Sequence, residues 1–157
     1  MNNIKKGKII KLIIYILIPL GLGTLVGFLS GSSNGYTDFV KPPFAPAGIL
    51  FPIVWTILYI LMGISSFIIS QSDSPLRSIS LKTYFIQLVV NLAWSFIFFK
   101  LKLILLAAIW ILLLIILVIK MILEFKKVNK FAGYLQIPYL LWLIFALILN
   151  ISIYILN

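Results

Sequence analysis

The chain has 157 residues, of which 63% are hydrophobic and only 10% charged, and its mean hydropathy is +1.21. A soluble domain of this size could not hide so much apolar surface beneath so few polar groups, so the chain reads as an integral membrane protein. It contains no cysteine, no histidine and three carboxylates, Asp38, Asp73 and Glu124, which excludes disulfides and thiolate or imidazole metal sites and disfavours most acid–base and hydrolytic chemistry.

A hydrocarbon core about 30 Å thick takes roughly 20 helical residues. Five stretches reach that length: Ile9–Leu29, Gly48–Ser70, Ser80–Phe99, Leu103–Leu123 and Phe131–Ile155. The runs are continuous, whereas a membrane barrel needs alternating segments of about ten residues. The expected fold is therefore an all-α five-transmembrane-helix bundle in a single domain over residues 1–157, with no room for a soluble catalytic domain.

The first stretch follows Lys5, Lys6, Lys8 and Lys11. Its apolar run exceeds the roughly 7–15 residues of a signal peptide, so it is read as the first span. Gly23, Gly27 and Gly31 recur every fourth residue. Such steps allow close helix approach, here within the chain in preference to a dimer face. The connection over residues 30–47 begins Ser30-Gly31-Ser32-Ser33-Asn34-Gly35, which is flexible, and ends in the proline-rich stretch Lys41–Ala47, which is stiff. Its length suits either a lid or a plain connector.

Three later spans each carry polar and aromatic residues at helical spacing. The second has Pro52, Trp55, Tyr59, Gly63 and Ser66 on one face. The third has Tyr84, Gln87, Asn91, Trp94, Ser95 and Phe98. The fifth has Pro138, Trp142, Ala146 and Asn150. The fourth, over Leu103–Ile119, has no polar side chain besides the Trp110 indole, and is expected to lie at the periphery with Trp110 facing lipid. Each polar stripe alone suits interhelical packing. Three together, with a candidate lid, suit an internal apolar pocket with a few polar anchors for a flat ligand such as a tetrapyrrole or sterol.

The net charge of +10 follows from topology. One set of alternate loops and flanks holds Lys5, Lys6, Lys8, Lys11, Arg77, Lys82, Lys120, Lys126, Lys127 and Lys130, and the other holds Lys41, Lys100 and Lys102. The positive-inside rule puts the N-terminus in the cytoplasm and the C-terminus outside a cell membrane. Contact with anionic lipid accounts for the charge, and no nucleic-acid role is expected. No internal repeat is evident, and no carboxylate lies deep in a span, which disfavours ion-coupled transport.

These residues resemble the TspO/MBR family, the tryptophan-rich sensory proteins and translocator proteins. The resemblance rests on Lys41-Pro42-Pro43-Phe44-Ala45-Pro46, then Pro52, Trp55, Leu58-Tyr59 and Met62-Gly63. It continues through Tyr84-x-x-Gln87-Leu88-x-x-Asn91-x-x-Trp94 and Phe98-Phe99 to Pro138-Tyr139-Leu140-x-Trp142-x-x-Phe145-Ala146-x-x-Leu149-Asn150. It implies a five-helix bundle, often a homodimer, whose pocket is closed by the first loop and binds porphyrins or, in animal relatives, cholesterol.

Carried over residue by residue, the resemblance implies ligand-binding positions at Trp55, Tyr59, Gln87, Asn91, Trp94, Trp142 and Ala146. It implies lid positions at Tyr36, Pro42, Phe44 and Pro46. No catalytic residue, metal site or obligatory cofactor is expected, and porphyrin enters as ligand. The chain departs from the family pattern at Gly35, Phe44, Ala47 and Trp110, and beyond Ala146 it lacks the Tyr and basic residue of the proposed cholesterol motif. Porphyrin-type ligands are therefore favoured over sterols. The expected function is tetrapyrrole binding for sensing, sequestration or transfer. The alternatives are a light- or oxygen-dependent porphyrin-degrading activity through Trp55 and Trp142, and a transporter of apolar metabolites.

Overall fold

The computed structural model describes residues 2–32 and 36–157, with the side chains of residues 2–5 left out. Ser33, Asn34 and Gly35 of the first loop, and the Lys5 side chain, lie outside the described residues. The described chain is helical: α1 (Asn2–Ser30), α2 (Leu50–Ser70), α3 (Arg77–Ser95), α4 (Ile104–Val128), the short α5 (Lys130–Tyr134) and α6 (Ile137–Leu156). Five of its helical stretches are long and apolar enough to cross a membrane, α5 and α6 together making the fifth.

Local chemistry sets the helix ends. Gly31 ends α1 with φ +72°, a left-handed conformation that costs a glycine little. The Asn129 side chain caps α5 by accepting from the Ala132 N–H at 3.0 Å. α3 runs into a π-helical turn, Phe96–Lys100, where the Leu101 N–H reaches back to the Phe96 carbonyl at 2.9 Å. The wider turn changes the helical phase just where Phe98 is buried and Phe99 half-buried.

α1 and α2 pack with their backbones almost in contact. A Cβ on Gly63 would collide with the Ile16 backbone and come within 2.7 Å of the Tyr15 carbonyl oxygen. Pro19 has no N–H to offer that same carbonyl, four residues earlier in α1. A Cβ on Gly23 would run into the Tyr59 ring. Of the three glycines in the α1 stripe, Gly23 serves close packing within the chain. Gly27 would meet only the Ser32 hydroxyl, at 3.4 Å, and Gly31 open space.

The peripheral position expected for the fourth span is not observed. α4 packs on α3, α5 and α6, and buries Ala107, Ala108, Ile111, Leu114, Val118, Met121, Ile122 and Phe125 along one stripe. Trp110 does not simply face lipid either: it is half-buried, and its indole N–H donates to the Val90 carbonyl of α3 at 2.8 Å. The exposed helix is α1, whose Ile9, Ile13, Leu17, Leu25 and Phe28 point outward. In lipid both faces of a span are apolar, so a lack of polar residues does not distinguish the periphery from the centre.

The main core joins Leu58, Tyr59, Met62, Tyr84, Leu88, Leu114, Val118, Phe125, Tyr139 and Leu143 from α2, α3, α4 and α6. A second cluster, formed by Tyr36, Phe39, Phe98, Ala107, Leu149 and Ile153, lies under the first loop.

Candidate ligand site

At the centre of the bundle a hydrogen-bonded chain crosses three helices. The Tyr59 hydroxyl of α2 donates to Asn91 Oδ1 of α3 at 3.1 Å. Asn91 Nδ2 donates to the Tyr139 hydroxyl of α6 at 2.7 Å. That hydroxyl donates in turn to Gln87 Oε1 at 3.0 Å. The amides of α3 thus meet tyrosines of the neighbouring helices, and Gln87 Nε2 is left without a partner among the described residues. Such a buried network fixes the relative register of the helices that share it.

Trp55 packs on this chain, its ring 5.3 Å from Tyr59 and 6.2 Å from Tyr139. Trp142 lies to one side, in an open cleft of about 390 Å³ between α2 and α6. Val54, Ile57 and Leu58 form one wall of the cleft, and Pro138, Leu141, Trp142 and Phe145 the other. Ile57 and Leu141 at its rim are exposed, so the cleft opens toward the surrounding lipid. Its volume falls within the range of small-molecule sites and its lining is almost wholly apolar.

A second, smaller recess of about 20 Å³ lies beneath the first loop, lined by Tyr36, Phe51, Trp94, Phe98, Ala146 and Asn150 among others. Trp94 stacks on Phe98 at 5.1 Å. Phe51 joins the two recesses: its ring lies 4.8 Å from Tyr36 on one side and 5.8 Å from Trp142 on the other.

The first loop is closed over this end. Tyr36 is buried, donates to the Pro46 carbonyl at 3.3 Å and carries the Lys41 ammonium 4.6 Å above its ring. Burial raises its phenol above the ordinary pKa of 10.0, so it remains a hydrogen-bond donor. Phe39 packs on Phe98 at 5.3 Å. Val40 is held at both backbone polar atoms by the Asn157 side-chain amide, each bond 3.0 Å long. Lys102 pairs with Asp38 at 3.0 Å.

Of the sequence-selected residues, Tyr59, Gln87 and Asn91 meet in the central chain, with Trp55 against them. Trp142 lines the open cleft, and Trp94 and Ala146 line the smaller recess. Among the lid positions Tyr36 and Pro42 are buried and Pro46 is half-buried, while Phe44 points outward at 51% exposure. Sequence reasoning left Tyr139, Phe51 and Phe39 out of the site. Tyr139 was detectable: with Leu143, Ala146, Asn150 and Ile153 it keeps a 4-3-4-3 spacing, one position away from the Trp142 stripe. Phe51 stands one turn before Trp55.

The TspO/MBR family model matches residues 15–156. The chain belongs to the TspO/MBR family. It is 38% identical to the tryptophan-rich protein TspO of Archaeoglobus fulgidus over 95% of this chain and 98% of that protein. It is 36% identical to the TspO of Chlorobaculum tepidum over 94% of this chain and 98% of the relative. The protein CrtK of Rhodobacter capsulatus is 33% identical over 78% of each chain. Family membership and five apolar spans make it a membrane protein of the sensory and translocator class.

Proposed function

We propose that this TspO/MBR protein binds a flat, largely apolar ligand of the tetrapyrrole type in its interior and senses, sequesters or hands on that ligand. The observation that carries the reading is the aromatic series Tyr36, Phe51, Trp142 and Phe145, which runs from the closed loop into the lipid-facing cleft between α2 and α6. Flat ring systems gain most from offset or edge contacts with such rings. The present recesses are smaller than a tetrapyrrole, so the ligand enters as Tyr36 lifts and Phe51 turns.

The reading includes an orientation, with the N-terminus in the cytoplasm and the lid outside, supported by the ten-to-three division of basic residues.

The test is titration of the detergent-purified protein with protoporphyrin, followed by ligand absorbance. Trp142→Phe and Trp55→Phe should each weaken binding about fivefold or more, as loss of a central aromatic anchor does. Phe28→Ala, on the exposed face of α1, is the control. Equal effects from all three variants, or none from the tryptophans, would reject the pocket.

A further inference from the structure

The turn between the fourth and fifth spans carries a basic and aromatic patch that lines neither recess. The last turn of α4 supplies Lys126 and Lys127, and α5 supplies Lys130, Phe131 and Tyr134. α5 lies tightly against the end of α4. A Cβ on Gly133 would run into the Lys126 side chain and come within 3.1 Å of the Ile122 carbonyl oxygen. From α2 the Ser65 hydroxyl donates to the Ala132 carbonyl at 2.6 Å. Ala132 and Gly133 are thereby turned inward and buried, which leaves Phe131 and Tyr134 outward at 62% and 52% exposure. The Lys126 ammonium lies 4.4 Å from the centre of the Tyr134 ring, and Lys127 and Lys130 are exposed.

No carboxylate answers these charges. Among the described residues Asp38 pairs with Lys102 and Glu124 with Lys120, and Lys126, Lys127 and Lys130 make no ion pair. The fourth apolar span ends at Val128 and the fifth begins at Lys130, so the patch sits at the edge of the hydrocarbon. Lysines alone at that depth need only water. Lysines that share their surface with an outward phenylalanine suit an amphiphile, its tail beside the ring and its anionic group on the ammonium groups.

We propose that Lys126, Lys127 and Lys130, together with Phe131 and Tyr134, form a binding site for the headgroup and upper acyl chain of an acidic phospholipid. Each ammonium brings three donors to a phosphate. The Tyr134 ring holds Lys126 beside the tail of its neighbour Phe131 by a cation–π contact. A free phosphate ion would gain nothing from Phe131, and a zwitterionic lipid would bring its own cation to a wall that is already positive. The site is independent of any ligand in the bundle interior.

The experiment is native mass spectrometry of the full chain in neutral detergent, with equimolar phosphatidylglycerol and phosphatidylcholine. Wild type should retain phosphatidylglycerol in preference by tenfold or more, since each lysine near a membrane surface contributes about 1 kcal/mol. Lys127→Gln/Lys130→Gln, at two exposed positions, should cut that preference about tenfold. Phe131→Ala should weaken phosphatidylglycerol retention about threefold without changing the charge. Lys6→Gln/Lys8→Gln is the control: it removes as much charge from exposed positions at the same end of the bundle, on α1, where no aromatic residue stands within a helical turn. It should leave the preference unchanged. Phosphatidylglycerol should also raise the melting temperature of the wild type, and inorganic phosphate at the same concentration should not.

Equal retention of the two lipids by wild type, or a preference that survives Lys127→Gln/Lys130→Gln, overturns the assignment. An equal loss in Lys6→Gln/Lys8→Gln also overturns it, because the attraction would then be diffuse. If inorganic phosphate stabilises as much as the lipid, or Phe131→Ala has no effect, the patch takes a free anion and the phospholipid site falls.

Discussion

The Tyr139 hydroxyl sits between two amides of one helix, accepting from Asn91 Nδ2 at 2.7 Å and donating to Gln87 Oε1 at 3.0 Å. Gln87 and Asn91 are one helical turn apart, so a single phenol reaches both and ties α6 to α3. Tyr139→Phe keeps the ring contacts with Trp55 but strips a partner from each amide. Thermal unfolding in detergent should show a loss of about 1–3 kcal/mol, the usual cost of stranding buried polar groups. Tyr154→Phe, at an exposed position on the same helix, should change nothing measurable. Equal stability of the two variants would mean that the network contributes little.

The approach of α1 to α2 depends on the missing side chain of Gly63. Gly63→Ala places a methyl group against the Ile16 backbone, and backbone cannot move aside as a flexible side chain can. The expected cost is about 1–3 kcal/mol, as for overpacking elsewhere. Gly21→Ala meets nothing within 4 Å and should be neutral or stabilising, by up to about 1 kcal/mol, since alanine is the better helix former. Chemical or thermal melts of the pair measure the contrast. A harmless Gly63→Ala would show that the helices are free to separate.

The loop is latched at Val40 and plugged at Tyr36. Asn157→Ala removes both bonds to Val40 and should speed both association and dissociation of protoporphyrin in stopped-flow measurements, with a smaller change in affinity. Tyr36→Ala should act more strongly, because it also removes a wall of the smaller recess. Lys102→Ala breaks an exposed ion pair with Asp38 and should leave the rates nearly unchanged. Unchanged rates in both Asn157→Ala and Tyr36→Ala would rule out the loop as the gate.

Orientation is tested with reporters fused after Asn157. The basic residues flanking the first, third and fifth spans predict that a reporter active only in the cytoplasm is silent there, whereas one active only outside gives signal. Strong cytoplasmic activity would invert the topology and place the lid on the cytoplasmic side.

The number and position of the spans were legible in the sequence because hydrophobic length is a one-dimensional quantity. The second expected span, Gly48–Ser70, matches α2 at Leu50–Ser70, and the others agree within a few residues except where a helix runs on beyond its apolar stretch or, at the fifth, breaks between Tyr134 and Ile137. The polar residues of α3 were legible too: an amide or phenol in hydrocarbon must face a partner, so Tyr84, Gln87 and Asn91 declared their buried side. What the sequence could not supply was the arrangement of apolar surface. α1 and α4 are both almost uniformly apolar along their spans, yet α1 is mostly exposed while α4 buries a full stripe against its neighbours, because lipid accepts the same side chains as a protein core. Tertiary packing alone made that choice. It brought Ala107 and Ala108 of α4 into the core and Gly63 of α2 against α1, paired Asn91 with two tyrosines, and left the Asn150 amide facing a cavity.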